Sequence, residues 1–343
     1  MRAVIVTAPG KLEIASLSRP RVGPYQALVK TEIAALCNAT DSKLIAGHFP
    51  GVQAFPMVLG HEDAGIVEEV GPKVRHFVPG DRVIGGLVFD FAEAGLHSGW
   101  GGFCDYTLVN DHDAMVADGV ADAAHGWFEC HEIQRKVSAD IPPAEAVLLC
   151  MWREVYGGFG DFNLSAGQRI LVFGAGPVGL SFVKFGKLLG LRWIGVVDPL
   201  PRKRAVAERM GADATFAPED VPQLQRERAR NLDAVIDAVG NEKIVNLALP
   251  LVKMGGAVCV YGVVAAPALP VAKELGPYNF NLYVHQWPTR WREREAQEPL
   301  CAWIRARKLS AAEFVTHRFP LERIADALAA VRSGEVVKCL LQY

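Results

Sequence analysis

The chain has 343 residues, a length that predicts two domains, each able to bury its own core. Half of the residues are apolar, 22% are charged and the formal net charge is −2, so composition argues against binding to nucleic acid or to an anionic membrane surface. Seven cysteines without a Cys-x-x-Cys pair, and an N-terminal apolar run of only three residues, favour a cytoplasmic protein without disulfides. The longest uncharged stretch, 255–272, is broken by glycine and proline, so no membrane span is expected.

The sequence pattern of the first third of the chain predicts a β-rich, barrel-like domain. Short alternating or β-branched runs are separated by glycine and proline turns at residues 3–6, 27–31, 65–69, 82–84 and 104–109. The segment 111–140 that follows is polar, rich in histidine and aromatic residues, and too poorly periodic to predict a structure.

The pattern changes to alternating strands and amphipathic helices between about residues 168 and 264. Aliphatic runs predict strands at 170–173, 193–197, 234–236 and 257–261. This alternation of strands and helices is typical of a parallel, doubly wound sheet, so the predicted fold class is α/β. A last apolar run at 336–341 predicts a strand that rejoins the N-terminal domain.

A glycine-rich hexapeptide stands between the strand at 170–173 and the next helix. It reads Gly174-Ala175-Gly176-Pro177-Val178-Gly179. Gly174 permits the tight turn, Gly176 lets the backbone approach a pyrophosphate, and Gly179 lets the helix lie close to the strand. The helix N-terminus would then direct free N–H groups at phosphate, so the motif predicts a dinucleotide site.

Asp198 ends the second strand of this unit, nineteen residues after Gly179. A carboxylate there can accept hydrogen bonds from both ribose hydroxyls and repel a 2′-phosphate, which favours NAD over NADP. The alternative is a helix cap, with Pro199 as the first helical residue. The cations that follow, Arg202, Lys203 and Arg204, are groups that a 2′-phosphate would use, although a solvated helix face explains them equally well.

Cys37, His61 and Cys150 are candidate metal ligands, although each alone is more simply a buried cysteine or an ordinary histidine. His61 stands in a distinctive run, Leu59-Gly60-His61-Glu62-Asp63-Ala64-Gly65-Ile66-Val67. This run is followed by Val70-Gly71 and then by Pro79-Gly80-Asp81-Arg82-Val83.

This succession resembles the medium-chain dehydrogenase/reductase superfamily, specifically its zinc-dependent alcohol and sorbitol-type polyol dehydrogenases. The resemblance spans nearly the whole chain and implies a GroES-like catalytic domain combined with a Rossmann domain. The implied boundaries are a catalytic domain at 1–152, an NAD-binding domain at 153–288 and a return to the catalytic domain at 289–343.

The resemblance also implies one catalytic zinc held by Cys37, His61 and Cys150. In sorbitol-dehydrogenase-like members the third ligand, usually a glutamate, lies 24 residues before the first fingerprint glycine, and Cys150 occupies that spacing from Gly174. A Cys/His/Cys set leaves a fourth position open for water or substrate. Glu62 would be a carboxylate behind the ligands or a transient fourth ligand, with a surface acid as the simpler alternative.

Two departures from the family pattern affect the expected chemistry. The chain lacks the four closely spaced cysteines of the family's structural zinc, so we predict no structural zinc. The run Cys37-Asn38-Ala39-Thr40-Asp41-Ser42 differs in spacing from the family's usual relay. Thr40 is the first choice for the proton-relay hydroxyl and Ser42 the second, whereas Thr40 as a helix cap and Asp41 as a first-turn acid are the simpler alternatives.

The resemblance places further residues around the cofactor. They are Ala238, Val239, Gly240, Gly262 and, at the pyrophosphate, Lys338. For Lys338 the alternative is an ordinary surface lysine.

These features predict a zinc-dependent oxidoreductase that transfers a hydride between NAD(H) and the CH–OH or C=O carbon of a polyol, cyclitol or sugar-like alcohol. One alternative is a simple alcohol dehydrogenase or aldehyde reductase. Another, of a different class, is an NAD-binding protein without catalysis. The resemblance implies a homodimer or homotetramer.

Overall fold

The computed structural model describes residues 1–91 and 94–343, which form two compact units. The first unit contains Met1–Met151 and Gln297–Tyr343, and the second contains Trp152–Ala296. The chain thus leaves the first unit within one helix and returns to it at residue 297, eight positions later than the expected residue 289.

Seventeen strands form the sheets of the first unit and the central sheet of the second, counted over the described residues. In chain order they are β1 Arg2–Ala8, β2 Lys11–Ser16, β3 Gln26–Leu36, β4 Met57–Val58, β5 Asp63–Val70, β6 Arg82–Ile84, β7 His97–Ser98, β8 Tyr106–Asn110, β9 Arg135–Val137, β10 Arg169–Phe173, β11 Trp193–Val197, β12 Ala214–Phe216, β13 Leu232–Asp237, β14 Val252–Val260, β15 Asn281–Val284, β16 Val315–Pro320 and β17 Lys338–Gln342.

The α-helices are mostly short. They are α1 Thr40–Ala46, α2 His112–Ala117, α3 Pro143–Asp161, α4 Pro177–Leu188, α5 Pro201–Arg209, α6 Val221–Glu227, α7 Lys243–Ala248, α8 Arg290–Glu295, α9 Gln297–Arg305 and α10 Ile324–Arg332. Among the described residues, none of these helices is long and apolar enough to cross a membrane.

The first unit is built from two mainly antiparallel sheets. A four-stranded sheet has the order β2-β1-β4-β7, and a seven-stranded sheet has the order β16-β17-β3-β5-β6-β9, with β8 also paired to β3. The C-terminal strand β17 lies antiparallel to β3, with Cys339 opposite Leu36. On its other side, β3 pairs with β5, with Ala34 opposite Asp63. Three strands that are distant in sequence therefore meet at one end of this sheet.

The second unit is a parallel sheet with the strand order β12-β11-β10-β13-β14-β15. The neighbouring strands β10, β11 and β13 are mainly aliphatic and have almost no exposed residue, as expected of strands covered by helices on both faces. The order reverses direction between β10 and β13, and ligands of such sheets bind outside the carboxyl ends of strands at this point. The predicted doubly wound sheet is confirmed.

The segment 111–140, for which the sequence predicts no structure, begins with α2. Asp111 caps this helix by accepting a hydrogen bond from the backbone N–H of Ala114 at 3.0 Å. Short 3-10 turns at Ala123–His125 and Glu129–Ile133 lead to β9. Such short turns have no apolar periodicity, which is why the sequence pattern misses them.

Candidate metal centre and dinucleotide site

The first unit brings together three side chains that can bind a metal. Ligand atoms of Cys37, His61 and Glu62 lie within 4.8 Å of one another. Cys37 follows β3 directly, and His61 and Glu62 immediately precede β5, so the pairing of these strands places them side by side. The backbone N–H of Ala35 donates to the Glu62 carbonyl at 2.9 Å and joins the two segments. A thiolate, an imidazole and a carboxylate are the three side-chain types that bind zinc, so the donor set fits that metal.

Asp41 contacts two of these three residues, Cys37 through its backbone and His61 through its ring. Its Oδ2 accepts a hydrogen bond from the backbone N–H of Cys37 at 2.8 Å, and its Oδ1 lies 3.4 Å from His61 Nδ1. Burial lowers the pKa of His61, but the adjacent Asp41 carboxylate and Cys37 outweigh it, and the pKa stands well above its ordinary value. A carboxylate against one ring nitrogen orients a metal-binding histidine and leaves the other nitrogen for the metal. His61 Nε2 is indeed the nitrogen nearer Glu62, at 4.0 Å from Oε1.

Lys338 lies at the start of β17, directly behind Glu62. Its Nζ is 2.8 Å from Glu62 Oε1 and 2.7 Å from Oε2, and only 1% of the lysine is exposed. Burial lowers the pKa of Lys338, but the Glu62 carboxylate and the nearby Cys37 and Asp41 raise it above the ordinary value. Both simpler alternatives are therefore wrong: Lys338 is not a surface lysine and Glu62, 5% exposed, is not a surface acid. The amine of Lys338 forms its ion pair with Glu62. Its binding to the cofactor pyrophosphate stays a prediction.

Cys150 is not part of the group of three. It lies on α3, is buried, and its Sγ donates to the backbone carbonyl of Asp63 at 3.6 Å. The thiol therefore faces the backbone two residues after His61, while Glu62 occupies the third position in the cluster. Cys150 as a ligand stays a prediction from the family spacing.

The two candidate relay hydroxyls differ in environment. Thr40 is the first residue of α1 and is buried, whereas Ser42 is exposed. Residue 39 is the N-cap of this helix and no side chain caps it, so the alternative role of Thr40 as a cap is wrong. Thr40 as the first choice for the relay hydroxyl and Ser42 as the second stay predictions.

Asp63, next to Glu62, is a buried carboxyl that forms no ion pair with any residue of the described ranges 1–91 and 94–343. Burial raises its pKa to about 7, although the Thr107 hydroxyl donates to Oδ2 at 2.9 Å. Because the folded state holds a proton that the unfolded state releases above its ordinary pKa of 3.8, stability falls as the pH rises from about 4 to about 7.

Asp63→Asn is expected to flatten this pH dependence. The rise of the Asp63 pKa from 3.8 to about 7 corresponds to roughly 4 kcal/mol of unfolding free energy. Chemical denaturation at several pH values between 5 and 8 measures the portion of this free energy that is lost over that range. Asp105→Asn is the matched control, since Arg2 lowers the pKa of Asp105 despite partial burial. Equal pH dependence in wild type and Asp63→Asn would contradict this assignment.

The dinucleotide site of the second unit begins with the glycine-rich turn. Gly174 has φ of 99°, a left-handed conformation that favours glycine, and Gly176 is the N-cap of α4 with Pro177 following. A side chain at Gly179 would collide with the Gly174 carbonyl, which explains the third glycine. Open space surrounds the position that a Cβ of Gly176 would occupy, so a phosphate can approach the backbone there.

Asp198 lies directly after β11 and holds this turn in place. Its Oδ2 accepts from the backbone N–H of Ala175 at 2.8 Å and its Oδ1 from that of Leu200 at 2.9 Å. Helix α5 begins only at Pro201 with Leu200 as N-cap, so the alternative in which Pro199 starts the helix is wrong. Arg204 donates to the backbone carbonyl of Asp198 at 2.7 Å, and Lys203 is half-buried on the same helix.

The predicted cofactor positions after β13 and β14 meet at the same edge. Gly240 has a positive φ, which favours glycine at this position. A side chain at Gly262 would collide with the Gly240 backbone, so glycine is required there as well. A Cβ placed on Gly174 would lie 2.9 Å from the Val239 side chain and 3.7 Å from the Ala238 backbone, so these two residues border the glycine-rich turn.

Asp237, which the sequence analysis did not single out, holds the loop that follows β13. It is fully buried at the end of β13. Its carboxylate accepts from the backbone N–H groups of Val239, Gly240 and Asn241 at 2.8, 2.9 and 3.0 Å. An acid directly after an aliphatic strand was the signal that could have found it.

Comparisons with known proteins identify the family of each part of the chain. The alcohol dehydrogenase GroES-like domain model matches residues 23–118, and the zinc-binding dehydrogenase model matches residues 177–289. Sorbitol dehydrogenase of Arabidopsis thaliana is 27% identical over 96% of this chain and 92% of its own length. L-idonate 5-dehydrogenase of Vitis vinifera is 25% identical over 96% and 91%.

A solved structure shares the fold over its whole length. Alcohol dehydrogenase from Thermus sp. ATN1 superposes with a TM-score of 0.79 at 25% identity, covering 100% of this chain and 99% of the other. The expected α/β fold, with a GroES-like part and a dinucleotide-binding part, is confirmed. The chain belongs to the zinc-dependent medium-chain dehydrogenases.

Proposed function

We propose that this chain is an NAD-dependent dehydrogenase that oxidises a secondary hydroxyl of a polyol, cyclitol or sugar-like alcohol, or reduces the matching carbonyl. The main evidence is the cluster of Cys37, His61 and Glu62, in which Asp41 hydrogen-bonds the Cys37 backbone and Lys338 pairs with Glu62. Relatives named for sorbitol and L-idonate support a polyhydroxylated substrate.

Cys37, His61 and Glu62 would hold the zinc, with Cys150 as the further candidate. When bound, zinc stabilises negative charge on oxygen as a Lewis acid, and NAD accepts the hydride. Asp41 fixes the ring of His61 and the backbone of Cys37, while Lys338 fixes the Glu62 carboxylate. Thr40 Oγ1 would take the proton that leaves the substrate hydroxyl and pass it toward solvent.

The substrate class is tested by following NADH absorbance with a panel of polyols, cyclitols, amino sugars and primary alcohols. The proposal predicts turnover of a polyhydroxylated compound at a kcat/KM well above that of any primary aliphatic alcohol. Preferential oxidation of primary alcohols would instead support a simple alcohol dehydrogenase. NADH binding without turnover of any compound would support a non-catalytic protein.

Asp198 is proposed to select NAD over NADP. Asp198→Asn keeps an acceptor for the Ala175 N–H but removes the charge, so kcat/KM with NAD is expected to fall about tenfold and the NADP/NAD ratio to rise. Asp213→Asn, which alters a carboxylate paired with Lys187 in the same unit, should leave the ratio unchanged. An unchanged ratio in Asp198→Asn would remove Asp198 from the selection of cofactor.

We also propose that the protein is a cytoplasmic homo-oligomer. Strand β15 is the outer strand of the parallel sheet, and Val284 at its end and Trp287 beyond it are 47% and 40% exposed. An outer strand with exposed apolar side chains can be covered by a second copy. Light scattering should give a multiple of 37.2 kDa, and a monomer mass at micromolar concentration would contradict the proposal.

A further inference from the structure

Trp100 has a backbone conformation that normally belongs to glycine. Its φ is 71°, and Gly101 follows with φ of 68°. The run Gly99-Trp100-Gly101-Gly102 has glycine at the other three positions but a bulky side chain at one that is left-handed. Such an outlier persists only where the surroundings hold it in place, and outliers of this kind cluster at functional sites.

The backbone around Trp100 is fixed by hydrogen bonds that do not use its side chain. The N–H groups of Gly99 and Gly101 donate to the Val58 carbonyl at 2.7 and 3.3 Å, and the N–H of Gly102 donates to the Gly60 carbonyl at 2.7 Å. The Trp100 carbonyl accepts from the N–H of Val88 at 2.9 Å. The turn is therefore held against the segment that leads to His61, and glycine at position 100 would make it with less strain.

The indole lies beside the metal-binding cluster. Its ring centroid is 5.5 Å from that of His61, with 61° between the planes, and 5.2 Å from that of Phe49, with 89° between the planes. Phe49 is buried, whereas Trp100 remains partly exposed. A substrate whose oxygen reaches a metal held by His61 comes within reach of this indole.

We propose that Trp100 is a specificity-determining residue whose indole stacks on the C–H face of a cyclic polyol. This inference rests on the proposed function and narrows its substrate class from polyhydroxylated compounds to rings such as cyclitols. The faces of an indole are electron-rich and attract weakly positive C–H groups. A six-membered ring directs several axial C–H bonds to one side, whereas a linear polyol must lose rotational freedom to present a comparable surface.

Two variants of Trp100 test the role of the ring. Trp100→Asn removes the aromatic surface while keeping a residue that tolerates left-handed φ, and Trp100→Phe keeps a smaller aromatic surface. Initial rates with NAD are measured for myo-inositol, sorbitol, benzyl alcohol and 1-propanol, together with zinc content and the unfolding midpoint. In wild type, myo-inositol should exceed sorbitol in kcat/KM. Trp100→Asn should lower kcat/KM for myo-inositol about tenfold, mainly through KM, and change that for 1-propanol less than threefold, with Trp100→Phe in between.

Several results would overturn the inference. They are equal losses for all four compounds, loss of zinc in Trp100→Asn, sorbitol used as well as myo-inositol by wild type, and a ring effect confined to benzyl alcohol. The failure of the proposed function is distinguishable, because wild type would then oxidise neither myo-inositol nor sorbitol.

Discussion

Replacement of Cys37 or His61 by alanine is expected to remove the bound zinc and to lower kcat/KM by about a thousandfold or more. Each side chain supplies one of the three clustered ligand atoms, and loss of the metal removes a Lewis-acid contribution of several kcal/mol. Zinc content by metal analysis and NADH formation are the two readouts. Cys130→Ala and His97→Ala are the matched controls, since neither residue belongs to the cluster.

The same measurements distinguish Glu62 from Cys150 as the third ligand. The structure places Glu62 in the cluster and Cys150 against the Asp63 carbonyl. We therefore expect Glu62→Ala to lose zinc and Cys150→Ala to retain it. The reverse result would show that the family spacing of Cys150 identifies the ligand. Full zinc and activity in Cys37→Ala or His61→Ala would refute the metal centre itself.

The second large effect is expected at the buried ion pair between Lys338 and Glu62. Lys338→Met leaves the Glu62 carboxylate buried without its cation, and breaking a buried pair in this way costs about 3–5 kcal/mol of unfolding free energy. Activity should fall as well, because Glu62 loses its position beside Cys37 and His61. Lys338→Arg, which keeps the charge, should recover part of both.

The double variant Glu62→Gln with Lys338→Met tests whether the loss arises from an uncompensated charge. Its unfolding free energy, measured by denaturant titration of zinc-free protein, should exceed that of Lys338→Met alone. Lys136→Met is the control because this lysine, which pairs with Asp81, is half exposed to solvent, and solvent-exposed pairs contribute less than about 1 kcal/mol. A loss in Lys338→Met no larger than in Lys136→Met would show that the buried pair contributes no more than an exposed one.

Four of the six strands of the second unit, β10, β11, β13 and β14, were predictable because each contains a continuous aliphatic run. The predicted 193–197 is β11, and 170–173 falls within β10. Burial on both faces requires such runs, so their signal is strong in sequence. Strands such as β4 and β7, two residues each, and the polar, half-exposed β2 were missed because they carry no period that can be recognised.

The candidate site was predictable only in part. Gly174, Gly176 and Gly179 form a local motif, and His61 with Glu62 stands in another. Lys338 meets Glu62 across 276 positions, because β17 returns to lie beside β3. No local sequence pattern encodes that contact, so both sequence-based interpretations of Lys338, as a pyrophosphate-binding lysine and as a surface lysine, missed the buried ion pair.

The positioning roles of Asp41 and Trp100 also depend on tertiary structure. Asp41 looks like a first-turn acid in sequence, yet it is 1% exposed and lies against His61. Three glycines around Trp100 indicate a tight turn, but only the backbone shows that the tryptophan itself is left-handed.

Zinc content, measured together with NADH formation before chelation, after chelation and after zinc is restored, shows whether catalysis depends on the metal. One zinc per chain is expected, with activity lost when zinc is removed and recovered when it is returned. Undiminished oxidation of substrate by a chain shown to hold no zinc would rule out zinc-dependent catalysis.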